Sequence, residues 1–287
     1  MIPSASILGS QSPKLKFLPP LNLYIHIPWC LKKCPYCDFN SHEIRAENVL
    51  VPEDEYVAAL IRDLEAALPN IWGRRLNGVF FGGGTPSLFS AESIDRILTA
   101  VRMLLPLEHF AEVTLEANPG TFEAQKFSDF HAAGINRLSI GIQSFNDQKL
   151  QALGRVHDGD EARRAVDIAL GIFDNINLDL MYALPGQTVD EAQADIELAC
   201  SLGVNHLSAY HLTLEPNTLF YRYPPELPDD EQSAAMQEMI EQTTAQHHYQ
   251  NYETSAFAQS KKESQHNLNY WLFGDYLGIG AGAHSKI

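Results

Sequence analysis

The chain has 287 residues, 45% hydrophobic and 20% charged, with a formal net charge of −16. This is the balance of a folded globular protein; it excludes a disordered chain and argues against a nucleic-acid partner, which needs clustered Lys and Arg. No stretch approaches the ~20 apolar residues of a membrane-spanning helix. Residues 1–20 hold four prolines and two lysines but no continuous apolar run of the signal-peptide kind, and read as a flexible lead-in.

After the lead-in, extended and helical patterns alternate. Residues 21–28 alternate as a strand, and residues 54–68 carry Tyr56, Val57, Leu60, Ile61 and Leu64 at helical spacing. A strand at 78–81 ends in glycines. A helix follows over 91–104, with Ser90 as its N-cap and Pro106 just beyond its end. Strands at 112–117, 135–143, 176–182 and 206–214 are followed or separated by helices at 122–133, 160–170, 189–202 and 229–247. Gly134, Gly171 and Gly203 stop the first three of these helices. Six β-then-α units predict an α/β fold with a parallel sheet and outer helices. Right-handed crossovers would curl it into a partial (β/α)6 TIM-like barrel, although an open doubly wound sheet has the same local pattern. Past Tyr252 the alternation breaks, and residues 263–271 and 275–285 read as a separate tail.

The polar and glycine-rich motifs gather at strand ends. Cys30 follows the first strand, and Gly82-Gly83-Gly84-Thr85-Pro86 the second. Glu116-Ala117-Asn118-Pro119 and Gln143-Ser144-Phe145 end the third and fourth. Asp179, with Leu184-Pro185-Gly186 behind it, and Tyr210-His211 lie toward the ends of the fifth and sixth. In parallel sheets that edge carries the site. Three of the four cysteines, Cys30, Cys34 and Cys37, fall within eight residues as C-x3-C-x2-C. This spacing suits a 4Fe-4S cube held by three thiolates, with one iron open. A zinc site completed by His26 or His42 is the competing reading. Clustered thiols with no disulfide framework point to a reducing, cytoplasmic setting. The glycine run is no P-loop, since no Gly-Lys-Ser/Thr follows; it permits close backbone approach to a ligand or a plain tight turn. Glu116 and Asp179 can accept from ribose hydroxyls, and Arg155 can fork onto a carboxylate. His26 and Cys200 read as core residues, His247-His248 as a solvated helix end, and Tyr24 as sharing His26's face.

These residues together carry a resemblance. Y-I-H-I-P-W-C-x3-C-x2-C-D-F, G-G-G-T-P, E-A-N-P-G, S-I-G-I-Q-S-F and D-L-M-Y-A-L-P-G-Q-T resemble the radical S-adenosylmethionine superfamily. The narrower likeness is to oxygen-independent coproporphyrinogen III oxidases and their heme-chaperone paralogues, from about Leu21 onward. The resemblance implies a radical SAM-type barrel over 21–250. Cys30, Cys34 and Cys37 would ligate a 4Fe-4S cluster, whose fourth iron would be chelated by S-adenosylmethionine and whose electron would cleave it to a 5′-deoxyadenosyl radical. Tyr24 and Tyr36 would lie beside the cluster and cofactor. Gly83, Gly84 and Thr85 would bind the methionine amino end, and Glu116, Gln143, Arg155, Asp179 and Tyr210 would contact the same cofactor. The oxidases resemble C-x3-C-x2-C-x-C, whereas Phe39 stands here at the last position. His266-Asn267-Leu268-Asn269-Tyr270-Trp271 matches the H-N-x-x-Y-W signature of the chaperone branch, although Ser264-Gln265 replaces a Cys common just upstream. The implied function is heme binding and delivery to a client hemoprotein, with His266 as the candidate axial ligand. Anaerobic decarboxylation of coproporphyrinogen III is the alternative. Residues 251–287 would begin a heme- or porphyrin-handling region that continues further in the family. The reading expects no nucleic acid and no membrane span, and leaves peripheral membrane association and a homodimer open.

Overall fold

The computed structural model describes residues 17–44, 51–120 and 125–287. In chain order these form β1 (Leu21–Ile27), β2 (Trp29–Cys30), β3 (His42–Glu43), α1 (Glu53–Ala67), β4 (Leu76–Gly83), α2 (Ala91–Leu104), β5 (Leu107–Ala117) and α3 (Phe127–Ala133). There follow β6 (Arg137–Gln143), α4 (Asp147–Ala152), α5 (Gly159–Leu170), β7 (Ile176–Tyr182), α6 (Val189–Ser201), β8 (His206–His211), α7 (Leu219–Arg222) and α8 (Asp230–Gln246). The described chain ends with β9 (Gln250–Asn251), β10 (Ala256–Ala258), α9 (Gln265–Trp271) and β11 (Asp275–Ile279). The lead-in before residue 17, and the first residues of the helix expected over 122–133, lie outside the described residues.

Nine strands make one sheet in the order β11-β1-β4-β5-β6-β7-β8-β10-β9. From β11 to β8 every pair is parallel, and β10 and β9 continue that edge antiparallel. The six expected strands are neighbours in chain order without a reversal. Crossovers of one hand then place the helices on one face, which is barrel-type winding rather than the doubly wound alternative.

Strand parity sorts the two faces. Leu23, Ile25 and Ile27, Val79 and Phe81, Val113 and Leu115, Leu138 and Ile140, Leu178 and Leu180 are all buried in the main apolar core. Each contributes about 1.5–3 kcal/mol of transfer free energy. The alternate positions are largely polar and lie in register across the sheet. His26 pairs with Gly82, Glu116 with Ser139, Ser139 with Asn177, and Asn177 with His206. Helix entry is fixed by capping. Ser90 accepts from the Ser93 N–H, and Asp158, Thr188 and Asp229 each form a reciprocal capping box with Glu161, Glu191 and Gln232.

Of the residues expected as a separate tail, β11 pairs with β1 at one edge of this sheet, while β9 and β10, just before them, extend the other. Leu277 and Ile279 of β11 are buried beside β1, and a buried Arg74–Asp275 ion pair at 2.7 Å anchors the strand. Five glycine-containing residues are too short a run for period-2 alternation to stand out, and the hydrogen bonds to β1 come from more than 240 positions away. Helix α9 packs against β1 and β4, its Gln265 N–H donating to Glu112 Oε1 at 3.0 Å. No helix among the described residues is long and apolar enough to cross a membrane.

Candidate functional site

The carboxyl ends of β1 and of β4 to β8 open onto one cleft of about 370 Å³, within the ~300–1,000 Å³ typical of small-molecule sites. Every residue expected to meet the cluster or S-adenosylmethionine lines it, except Tyr24.

The cysteine loop leaves β1 through Pro28 and turns at Cys34, whose carbonyl accepts the Cys37 N–H at 3.1 Å. Lys33 Nζ donates to the carbonyls of Phe39 (2.9 Å) and Ser41 (3.0 Å), tying the loop's return. The Phe220 N–H bonds to the Pro35 carbonyl at 2.9 Å, so the segment after β8 holds the other side. Cys30, Cys34 and Cys37 are half-buried and free of disulfides. Arg155 Nη1 lies 3.5 Å from Cys34 Sγ, and Ser41 Oγ 3.5 Å from Cys37 Sγ. Burial pushes the Cys30 thiol up, so a bound metal would displace its proton.

This donor set fits a cluster better than a single zinc ion. A structural zinc site would need a fourth protein ligand beside the three thiolates. The histidines considered for zinc are otherwise engaged. His26 bonds to Tyr24 Oη (3.0 Å) and the Asn40 carbonyl (2.9 Å), as a satisfied core residue does, and His42 to Asn40 Oδ1 (3.2 Å).

The opposite wall is built from strand ends. Gly83 has φ +115°, and a Cβ there would stand 2.5 Å from the His26 ring; its N–H donates to Glu116 Oε2 at 3.2 Å. Burial, then the nearby charge of Asp179, pushes the Glu116 carboxyl from 4.5 up to about 8. Burial also raises Asp179, against hydrogen bonds from Ser139 Oγ (2.8 Å) and Asn177 Nδ2 (2.9 Å). Two buried acids with raised proton affinity suit a ligand that brings hydroxyl or ammonium donors. Gln143 adopts φ +62° at an irregularity in the β6–β7 register, strain of the kind that re-aims side chains at sites. Its Oε1 and the Arg155 Nε are buried without partners among the described residues, polar vacancies that fit a bound polar ligand. Arg155 is otherwise anchored, with Nη2 donating to Asn118 Oδ1 (2.7 Å) and the Gly141 carbonyl (2.9 Å). Tyr36 packs near Phe220, and Tyr210 stands 43% exposed.

Several contributors escaped the sequence reading. Asn118 bridges Arg155 to Thr85 Oγ1 (3.2 Å); it sat inside the quoted Glu116-Ala117-Asn118-Pro119 run without a role. Ser139, Asn177, Ser41 and Lys33 are ordinary polar residues whose only signal is strand parity or nearness to a cysteine. Tyr24 faces a neighbouring cavity that shares Gly83 and Glu116 with the cleft. His266 lines neither cavity. It stacks on Phe80 with centroids 4.2 Å apart, and burial pushes its pKa down to about 3.

The Radical SAM superfamily pattern matches residues 24–199. The Escherichia coli K12 heme chaperone HemW is 52% identical over 94% of this chain and 71% of its own length. The chain belongs to the HemW family of radical SAM proteins. HemW of Bacillus subtilis is 40% identical over 92% of the chain and 70% of its own length. Among solved structures, coproporphyrinogen III oxidase of Escherichia coli, a radical SAM enzyme, superposes with TM-score 0.81 at 26% identity. It covers 94% of this chain, which spans 65% of the oxidase's length. The α/β radical SAM fold expected from the sequence is thereby established.

Proposed function

We propose that this chain holds a 4Fe-4S cluster on Cys30, Cys34 and Cys37, binds S-adenosylmethionine beside it, and carries heme for delivery to a hemoprotein. The observation that carries the reading is the meeting of all three cysteines with Gly83, Glu116, Arg155 and Asp179 in one cleft of a HemW-family chain. The bound cofactor pair would supply one-electron cleavage of a sulfonium. The protein's own residues do the positioning. Arg155 and Ser41 lie against the Cys34 and Cys37 sulfurs and orient them. Gly83, at φ +115°, and Gly84 present backbone rather than side chain to the cleft, where polar groups can approach closely. Glu116 and Asp179 accept from the ligand's donors, and Gln143 Oε1 and Arg155 Nε find partners there. Tyr36 and Met181 exclude water from that wall.

The test is anaerobic reconstitution followed by iron and sulfide analysis and heme titration by absorbance. The reading expects about four irons per chain, loss of the brown chromophore in Cys34→Ala, and a heme Soret band. A preparation that takes up neither cluster nor heme would refute it. The likeness to coproporphyrinogen oxidase supports a second reading, anaerobic porphyrinogen decarboxylation. Phe39 stands where the oxidases resemble a further cysteine, which weighs against it, and turnover of coproporphyrinogen III under reducing conditions would decide for it.

A further inference from the structure

We propose that a metalloporphyrin sits in the second cavity, between Tyr24, Tyr270 and Tyr276, with His284 rather than His266 as the axial ligand of its iron. The proposal rests on the heme-handling reading above and names the site it would use.

The cavity holds about 400 Å³ and meets the cysteine cleft at Phe39, Gly83 and Glu116. Its walls are aromatic. Tyr270 of α9 and Tyr276 of β11 lie 4.5 Å apart between centroids, tilted by 39°, and Tyr24 stands on the neighbouring strand β1, stacked toward Phe80. Flat conjugated rings pack well against such faces. The mouth is open, Phe39 being 63% and Tyr270 39% exposed, so a macrocycle larger than the cavity can leave one edge in solvent.

Two imidazoles border the cavity. His26 has both ring nitrogens engaged. His284 is exposed, and its ring has no hydrogen-bond partner among the described residues, so a nitrogen lone pair is free for a metal. His266 lies behind this wall, stacked on Phe80 and edge-on to Tyr270 at 4.9 Å, with Nδ1 buried. To reach iron it would have to leave that stack.

The loop bearing His284 is also held in place. Gly280 and Gly282 have φ of +97° and +90°, and a Cβ on Gly282 would fall 1.9 Å from Asn40 Nδ2. That same amide donates to the Ala281 carbonyl at 3.0 Å, linking the loop to the return of the cysteine loop. The Gly278 N–H donates to Ser285 Oγ at 2.9 Å, and Tyr276 bridges to Lys286 across the turn. A glycine-rich run folded this tightly over β11 fixes the backbone that carries His284, part of the pre-organisation a metal ligand requires.

The test titrates ferric heme into wild type, His284→Ala, His284→Gln and His266→Ala, following the Soret band. Both His284 variants should lose the imidazole-ligated spectrum and bind at least about tenfold more weakly. Free imidazole should restore the spectrum, and His266→Ala should keep it. Metal-free protoporphyrin, which needs no ligand, should bind wild type and His284→Ala alike. Wild-type spectra in both His284 variants, or loss of the imidazole signature in His266→Ala with His284 intact, would overturn the assignment while leaving heme handling standing. Failure of wild type to bind heme would overturn both.

Discussion

Replacing Glu116 by Gln should remove the stability loss that this carboxyl imposes on the cofactor-free protein as pH rises. The Glu116 carboxyl is raised from 4.5 to about 8, chiefly by burial and then by Asp179. In the unfolded chain it titrates near its ordinary value. Between those limits the folded state keeps a proton that the unfolded state has released. Stability is therefore full below about 4.5, falls as pH rises toward 8, and levels off beyond. At about 1.4 kcal/mol for each tenfold change in proton affinity, the whole displacement is worth at most about 5 kcal/mol. Asp179, raised in the same direction, shares the field, so the two titrate as a pair. Urea unfolding from pH 5 to 9 measures it. Asp179 and the buried, neutral His157, His206 and His266 contribute to both proteins, so the signal is the difference. Wild type should lose several kcal/mol relative to Glu116→Gln across that window and be the less stable of the two at pH 8. Parallel slopes for the two proteins would refute the argument. A cationic ligand should also draw this proton off, so binding of S-adenosylmethionine at pH 7 should release protons, read as a buffer-dependent enthalpy in calorimetry.

Arg155→Lys keeps the charge but loses the fork that joins Asn118, the Gly141 carbonyl and Cys34. At about 1.5–3 kcal/mol for a hydrogen bond to a charged group, S-adenosylmethionine affinity should fall at least tenfold while iron content falls less; unchanged affinity in a direct binding assay would count against the role. Arg74→Ala breaks the buried pair with Asp275 and should cost about 3–5 kcal/mol in urea unfolding, with Arg74→Met/Asp275→Leu recovering much of it. Ile25→Ala and Tyr24→Phe are neighbours on opposite faces of β1. The first should lose about 2–5 kcal/mol in urea unfolding and leave cluster loading intact. The second keeps the ring face but loses the hydroxyl bonded to His26, and should cost about 0.5–1.5 kcal/mol while leaving heme affinity in the absorbance titration nearly unchanged.

Much of the fold was legible because the outer sheet face and the helices obey simple periods. The helix at Ala91–Leu104 and the strand at Ile176–Tyr182 appear with the expected bounds, and Asp229 caps α8 where the reading began that helix. The strands at β4 and β5 run longer than expected. Gly82 and Gly83, read as either a close approach to a ligand or a tight turn, keep sheet pairing to β1, and Glu108, His109 and Phe110 are exposed in succession, so no apolar alternation marks residues 107–111. Helix α4 was missed because six residues hold too few apolar positions to show a period. The cysteine cleft was legible because its residues end six successive strands, and topology brings such ends together. The second cavity was not. Tyr24, Tyr270, Tyr276 and His284 meet only when β11 pairs with β1, a contact that no local pattern announces.

That pairing explains why the barrel's interior can be so polar. An unpaired polar group inside a protein is costly, and most of the inner face is joined by hydrogen bonds, with Asn22 Oδ1, Thr114 Oγ1 and Gln143 Oε1 left without partners among the described residues. Asn177 Nδ2 donates to Asp179 and to Ser139 Oγ at 2.7 Å, which leaves its Oδ1 as the acceptor for His206 Nδ1 at 2.6 Å. His206 must then carry its proton on Nδ1 and accept at Nε2 from Tyr252 Oη, 2.7 Å away; burial holds the ring neutral. Tyr252 Oη in turn accepts the N–H of Ser264, the residue that caps α9. One chain of donors with a single consistent direction thus runs from a cleft acid to the helix carrying Tyr270. The last link of that chain belongs to the segment the sequence set apart as a tail. Without it Tyr252 loses its donor, Glu112 faces no amide, and the far end of the inner face is left unsatisfied.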